Sequence, residues 1–346
     1  MTAAPTTDSG VAVVRRPNRV RLLWLVVLLA VLVGLAVLSI SVGSRAVGWE
    51  QILAALGGAQ STLDEAAVGQ RIPRTALAIL VGAALGVAGG VMQGVTRNPL
   101  ADPGILGVNM GASLAIVIGI AWFGLSSASG YVWVAIAGSA AAAVFVYTIG
   151  SLGRGGATPL KLALAGAATS AALVSFVTAI HLPRGDIADN VRSWLIGGVG
   201  GATWPSVSLV LPFLFVGFAV SLLSARSLNT LALGDDLAAG LGERVALARA
   251  FAALGAVLLC GAATAIAGPI AFVGLVVPHA CRMLVGVDHR WLLPFSAFAG
   301  AALVVASDVV GRVVARPAEI DVGIITALVG GPFFVAIVRR HKVRSL

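Results

Sequence analysis

Charge is what this 346-residue sequence has least of. Asp, Glu, Lys and Arg make up 11% of it, while 59% is hydrophobic and mean hydropathy is +1.01. Soluble domains carry about 25% charged residues, so an ordinary soluble domain is excluded. Lysine is scarcer still. Lys161 and Lys342 are the only two, neither follows a glycine, and no G-x-x-x-x-G-K-[ST] loop occurs. The chain therefore cannot supply the phosphate-binding lysine of an ATPase itself. Two cysteines, Cys260 and Cys281, lie in or beside apolar segments without CxxC spacing or a histidine cluster, which leaves neither a disulfide framework nor a zinc site. Aromatic residues are few at 6%, and the net charge of +9 is scattered between apolar runs, a pattern that does not suit nucleic acid. The apolar segments also lack paired carboxylates, a metal-ligand spacing and a nucleophile with its base. We accordingly assign no catalytic residue and no metal ligand.

Long apolar runs are abundant. Residues 75–95 hold 21 positions without formal charge, about 31 Å of helix at ~1.5 Å per residue, which matches a hydrocarbon core. Spans are expected near 22–42, 75–95, 105–123, 131–150, 160–180, 205–224, 246–267, 270–285, 292–311 and 323–338. The protein is therefore read as all-α and polytopic. It has one ten-helix membrane domain over 22–340, a basic N-terminal tail over 1–21 and a C-terminal tail over 341–346. The first run is too long for a signal-peptide core and lacks a convincing cleavage site, so it reads as a retained helix. Residues 187–200 are too polar and glycine-rich to span and suit a re-entrant or interfacial helix. In the second span Gly82, Gly86, Gly90 and Gly94 recur every fourth position, lining one face where another backbone can approach.

Ten spans put both termini on one side. With the N-terminus inside, sixteen of the 23 Lys and Arg residues fall on inner segments. The other seven, Arg45, Arg71, Arg74, Arg184, Arg192, Arg312 and Arg316, fall outside, as the positive-inside bias requires.

Four stretches carry a family likeness: RIPRT at 71–75, RNPLADPGILGV at 97–108, GPIAFVGLVVPHACRMLVGVDHR at 268–290 and PAEIDVGIITALVGGPFF at 317–334. In this order they resemble the FecCD/BtuC-type permeases, membrane subunits of bacterial ATP-binding-cassette (ABC) importers for iron-siderophores, haem and cobalamin. The likeness runs over almost the whole chain. One departure is Asp321, where the family usually has proline before the Val-Gly pair.

The resemblance implies a BtuC-like type II importer fold in the bacterial cytoplasmic membrane, both termini cytoplasmic. A second permease subunit, identical or paralogous, would complete the path. Two cytoplasmic ATPase subunits would use ATP and Mg, none of it bound by this chain, and a substrate-binding protein would dock outside. An iron-siderophore is the first expectation for the cargo, with cobalamin or haem the alternative. The family's coupling helix corresponds to the loop over 231–244, in which Gly234, Asp235, Asp236, Leu237, Ala238, Ala239, Gly240, Leu241 and Gly242 form the contact. There Asp235 is expected to cap a short helix that Gly240 or Gly242 stops. Arg71, Arg74 and Arg312 match the positions at which the family's arginines pair with glutamates of the binding protein. Local readings stand beside these roles. Arg312 follows Asp308 by four residues and can pair with it on one helix face, and arginines at span ends can snorkel. Asp308 is the one acid placed within a span, which makes a lone ion-coupled transporter the competing hypothesis of another class. Thr158, after Gly155, Gly156 and Ala157, matches the family's inner gate or is a helix cap. His279 and His289 flank an inner loop with Arg282, Asp288 and Arg290 and are read as braces or ATPase contacts, not as metal ligands.

Overall fold

The computed structural model describes residues 17–43, 47–58, 61–99, 101–153 and 158–342. The expected inner-loop glycines Gly155 and Gly156, together with Ala157, lie outside these residues, as do Arg15, Arg16, Arg45, Arg154 and Arg344. Helices are the only regular structure among the described residues. They are α1 (Asn18–Ser41), α2 (Trp49–Leu56), α3 (Leu63–Thr96), α4 (Val108–Phe123), α5 (Ala128–Ser151), α6 (Pro159–His181), α7 (Gly185–Ile196), α8 (Trp204–Leu223), α9 (Ala225–Leu231), α10 (Asp235–Gly240), α11 (Val245–Ala267), α12 (Val273–Val285), α13 (His289–Val314) and α14 (Val322–Lys342). Seven of them, α1, α3, α5, α6, α8, α11 and α13, are long and apolar enough to cross a membrane, and α4, α12 and α14 are shorter apolar helices. These ten coincide with the ten expected spans. The polar stretch near 187–200 is helical only as α7.

The largest departure is at α3. It starts at Leu63, twelve residues ahead of the expected span, because Thr62 and Glu65 close a reciprocal capping box there and Pro73 is accommodated inside the helix. The box satisfies two backbone donors that a helix start leaves orphaned. Arg71 and Arg74 therefore sit within the helix, not ahead of it. Residues α2 and α9 had no clear sequence signal, being short and flanked by other helices.

The core is built around α3. Its most apolar window is 78% buried inside the protein, whereas that of α1 is 11% buried, so α3 is sheathed by other helices and α1 stands at the rim. The glycine stripe explains how close the neighbours come. A methyl group at Gly82 would strike the Gly300 carbonyl, and one at Gly86 the Ser296 carbonyl, both on α13. Gly300 returns the contact onto the Gly82 carbonyl, so the two backbones touch with no side chain between them. Lower on the face, Gly90 meets the Leu293 side chain, and Gly94 meets the imidazole of His289. A second crossing of this type joins Gly111 of α4 to Gly138 of α5. Lipid offers apolar chains no hydrophobic gain from helix association, so this close packing is where dispersion and weak backbone contacts stabilise the bundle.

At one end of the bundle the chain after α7 runs between two helices. Gly198 donates its N–H to Ala267 O at 2.8 Å, and Gly323 donates to Gly197 O at 2.9 Å, tying the ends of α7 and α11 to the start of α14. Irregular backbone is tolerated at such a place because protein, not lipid, satisfies it.

Gly86→Val should lower the thermal midpoint of the purified protein sharply. Overpacking of ordinary cores costs about 1–3 kcal/mol, and here the obstacle is a helix backbone that cannot rotate away. Gly34→Ala on α1, where nothing lies within 4 Å of an added methyl, should leave the midpoint unchanged. Equal melting of both variants would remove the glycine contact as the basis of the core.

Candidate functional site

The candidate site residues gather mainly at the two ends of the α3/α13 pair. At the end holding the N-terminal part of α3, the guanidinium of Arg74 donates from Nε and Nη2 to Asp308 Oδ1 at 2.9 and 2.7 Å, and from Nη1 to Glu319 Oε2 at 2.7 Å. Arg312 Nη2 lies 2.9 Å from Asp308 Oδ2. One carboxylate, itself only 1% exposed, thus holds an arginine from each of two helices. The pairing of Asp308 with Arg312 follows the four-residue spacing. The link to Arg74 is invisible in sequence, since 234 positions separate the two.

Arg71 and Arg312 share a further task. Arg312 Nη1 donates to Ser39 O at 2.9 Å and to Val42 O at 3.1 Å, and its Nη2 donates to Ser39 Oγ at 2.6 Å. Arg71 Nη1 donates to Ile40 O and Ser41 O, both at 3.2 Å. The Ser39, Ile40 and Ser41 carbonyls are the last of α1 and that of Val42 is at its cap, so they lack the partners a continuing helix would give, and cationic donors suit the negative end of its dipole. Both arginines are buried, and Arg74 is the member of the three that reaches the surface together with Glu319. Asp321, the departure from the family pattern, lies just before α14 and against Gly198. Burial raises its carboxyl pKa above the usual range, and the charge of Arg74 works against that rise.

The opposite end carries the short helix α10. Asp235 does not cap it, contrary to the expectation. Gly234, at φ +107°, occupies the cap position without a side-chain acceptor, and Asp235 opens the helix as its first residue. Its carboxylate instead accepts from Arg97 Nη2 at 2.9 Å and from Arg249 Nη2 at 2.8 Å. That joins α10 to the end of α3 and to α11. Gly242, at φ +86°, takes the left-handed conformation beyond the helix end. Ala238 is fully buried while Leu233, Leu237 and Leu241 are exposed, so the loop is anchored by one face and presents an apolar ridge on the other. Among the expected braces, His289 Nδ1 lies 2.8 Å from Asn229 Oδ1, and Asn229 Nδ2 donates to Asp288 Oδ1 at 2.7 Å. Asp288 accepts from Arg290 Nη2 at 3.0 Å. Burial pushes the Asp288 carboxyl up, but hydrogen bonds from Arg290 and Asn229 outweigh it and hold the group at about 2. The ring of His279 stacks edge-on to Phe333 of α14. Thr158 caps α6, accepting from Lys161 N at 3.3 Å.

Asp102, quoted above only within its motif, turns out to be a junction. It caps the short 3-10 turn Pro103–Leu106 by accepting from Gly104 N at 2.7 Å, and it also meets the start of α12 at Gly274 and the Leu275 backbone. Burial pushes its carboxyl up to about 6, against the lowering effect of those two backbone bonds.

Against known proteins, residues 28–340 match the model of the FecCD transport family. The chain belongs to that family. Over 314 residues it is 43% identical to the ferric enterobactin transport system permease protein FepD of Escherichia coli (strain K12), covering 90% of this chain and 94% of that one. It is 45% identical over 309 residues to the iron(3+)-hydroxamate import system permease protein FhuB of Bacillus subtilis (strain 168), covering 89% and 80%. It is 40% identical over 283 residues to the hemin transport system permease protein HmuU of Yersinia pestis, covering 79% and 82%. A solved metal-chelate type ABC transporter in an inward-facing conformation superposes with a TM-score of 0.79 at 29% identity, over 92% of this chain and 99% of that one. As a FecCD-family member the protein is a multi-pass membrane permease subunit of an ABC importer.

Two variants test this geometry. Asp308→Ala leaves Arg312 buried without its carboxylate and leaves Arg74 with Glu319 alone, and should destabilise the protein by about 3–5 kcal/mol, the usual cost of breaking a buried pair from one side. A change under ~1 kcal/mol in chemical or thermal unfolding would show that the network is not what holds this end. For Asp102 the folded pKa is raised, so its contribution is fully present below the unfolded value and is lost as pH rises through about 6. Asp102→Asn should therefore gain stability relative to the parent progressively between pH ~4 and ~7, with a constant difference above that. A pH-independent difference in melting would contradict that assignment.

Proposed function

We propose that this chain is the permease subunit of an ATP-driven importer that carries a ferric siderophore into the cytoplasm by alternating access. The observation that carries the proposal is the near full-length identity to the enterobactin and hydroxamate permeases. The physical features agree with it. Two such subunits, identical or paralogous, would enclose a path whose walls need no dedicated ligands, because a siderophore satisfies its iron before it arrives. Two separate ATPase subunits would seat the apolar ridge of α10, whose Asp235 is fastened to α3 and α11. Tilting of those helices would then follow ATPase closure as a rigid-body step. ATP and Mg belong to those partners. On this reading the α10 end and both termini are cytoplasmic, in the bacterial inner membrane.

The opposite end would receive an extracytoplasmic binding protein through Arg71, Arg74 and Arg312. Arg74, held by the partly exposed Glu319, is the member a docking glutamate meets first. Arg71 and Arg312 fix its surroundings from within. Thr158 serves as the inner gate in addition to capping α6. The identity to a hemin permease supports haem as the second reading for cargo.

Uptake of labelled ferric siderophore should require both this chain and its ATPase in the same cells. Arg74→Glu should reduce that uptake by on the order of tenfold or more, since a like charge replaces an attractive one at the docking face. Unchanged siderophore uptake with reduced haem or cobalamin uptake would replace the substrate. Uptake that persists after the ATPase is inactivated would remove the mechanism.

A further inference from the structure

A cavity of about 1440 Å³ opens at the α10 end, between the starts of α1 and α13 and the ends of α3 and α12. Four guanidiniums line it, those of Arg21, Arg97, Arg282 and Arg290, against the single carboxylate of Asp288. Arg290 is neutralised by Asp288 and Arg97 by Asp235. Among the described residues neither Arg21 nor Arg282 has a carboxylate partner. Arg282 Nη2 donates to the neutral amide oxygen of Gln93 at 2.7 Å, and its Nη1 is buried without an acceptor. Arg21 lies over the ring of Trp291 at 5.7 Å from its centre, with Nε buried and unpaired. Two cations partly withdrawn from water without counter-charge are costly, and a bound anion offsets that cost.

The walls say which anion. On the side toward the apolar part of the bundle the cavity is bounded by Leu25, Pro294 and Phe295. Its α1 wall belongs to the apolar helix whose window is least buried inside the protein among the seven long ones, and Trp291 beside Arg21 has the amphipathic character of an interfacial anchor. A single carboxylate side chain would fill little of this volume. A phosphate-bearing headgroup with the glycerol and the first methylenes of its acyl chains has both the charge and the apolar extension. We infer that this cavity is a binding site for the headgroup of an anionic phospholipid, with Arg21 and Arg282 as the phosphate-binding pair. The placement couples lipid to the machinery. The same cavity is lined by Arg97, which holds Asp235 of α10, and by Asn229, Ala232 and Leu233 immediately ahead of it. This site rests on the family's membrane location and not on the cargo, so a failed siderophore assay leaves it standing.

The full-length protein, purified in detergent, would be titrated with phosphatidylglycerol, with phosphatidylcholine and with inorganic phosphate. Retained lipid would be read by native mass spectrometry, and the thermal midpoint would be followed alongside. Phosphatidylglycerol should be retained and should raise the midpoint, and the other two should do neither. Arg21→Gln combined with Arg282→Gln should weaken retention roughly 30-fold, taking about 1 kcal/mol per arginine near an anionic headgroup. Arg192→Gln on α7, which removes one charge as Arg21→Gln alone does, should not weaken it. Arg21→Gln alone, at the rim, keeps the comparison available where the double variant folds poorly. Equal retention by the parent and both variants would overturn the site. A midpoint shift from inorganic phosphate equal to that from lipid would overturn the lipid as occupant. Displacement of retained phosphatidylglycerol on adding the ATPase would give the cavity to that partner and overturn the proposal as well.

Discussion

The backbone-to-backbone contact of α3 with α13 is the constraint on which the other features hang. Where Gly82 faces Gly300 and Gly86 faces Ser296, two long helices run against each other without side chains to adjust. Such a contact has few alternative arrangements, because any shift drives a carbonyl into a neighbouring backbone. The charged residues of one end, Arg71 and Arg74 on α3 with Asp308 and Arg312 on α13, are brought together by that crossing. So are the residues of the other end, Gln93 on α3 and Arg97 at its cap with Asp288 and His289 at the start of α13. One packed pair of helices therefore sets the position of both ends.

The cluster around Asp308 shows why charge survives inside so apolar a chain. Asp308 is shielded from water almost completely, and a lone carboxylate there would be strongly disfavoured. Two guanidiniums from different helices remove that penalty, and each has further acceptors, Glu319 for Arg74 and the α1 carbonyls for Arg312. The arrangement fixes α1, α3, α13 and the start of α14 relative to one another through groups that cannot be swapped for apolar ones singly. An intramembrane acid is ordinarily a candidate for ion coupling. The two ion pairs and the alignment with importer permeases offer Asp308 a structural role that needs no proton.

Much of this was legible in the sequence, and the limits have physical causes. The ten apolar segments were readable because a hydrocarbon core imposes length and composition on each span separately. The glycine stripe was readable as a close-packed face, though not its partner, since periodicity on one helix does not name the helix across from it. The pairing of Asp308 with Arg312 lay within one turn and could be anticipated. That of Arg74 with Asp308 and Glu319 could not, because the fold alone brings those positions together. The early start of α3 was hidden by Arg71 and Arg74, which read as the end of the apolar run although a capping box at Thr62 and Glu65 starts the helix upstream. Asp235 misled for a related reason: an acid after glycine is a common cap, but two arginines contributed by other helices claimed its carboxylate.

The same packing separates interior helices from outer ones. α3, α11 and α13 are the long helices whose apolar windows are mostly buried inside the protein, at 78%, 67% and 61%. Those of α5, α6 and α8 are 22%, 17% and 28% buried, and that of α1 is 11% buried. α3 and α13, joined through glycine, thus lie with α11 in the interior of the subunit, and the less buried helices stand around them. Asp235 is tied by salt bridges to Arg97 at the end of α3 and to Arg249 on α11, both interior helices. The α10 loop is thus anchored to interior helices and not to the outer ones.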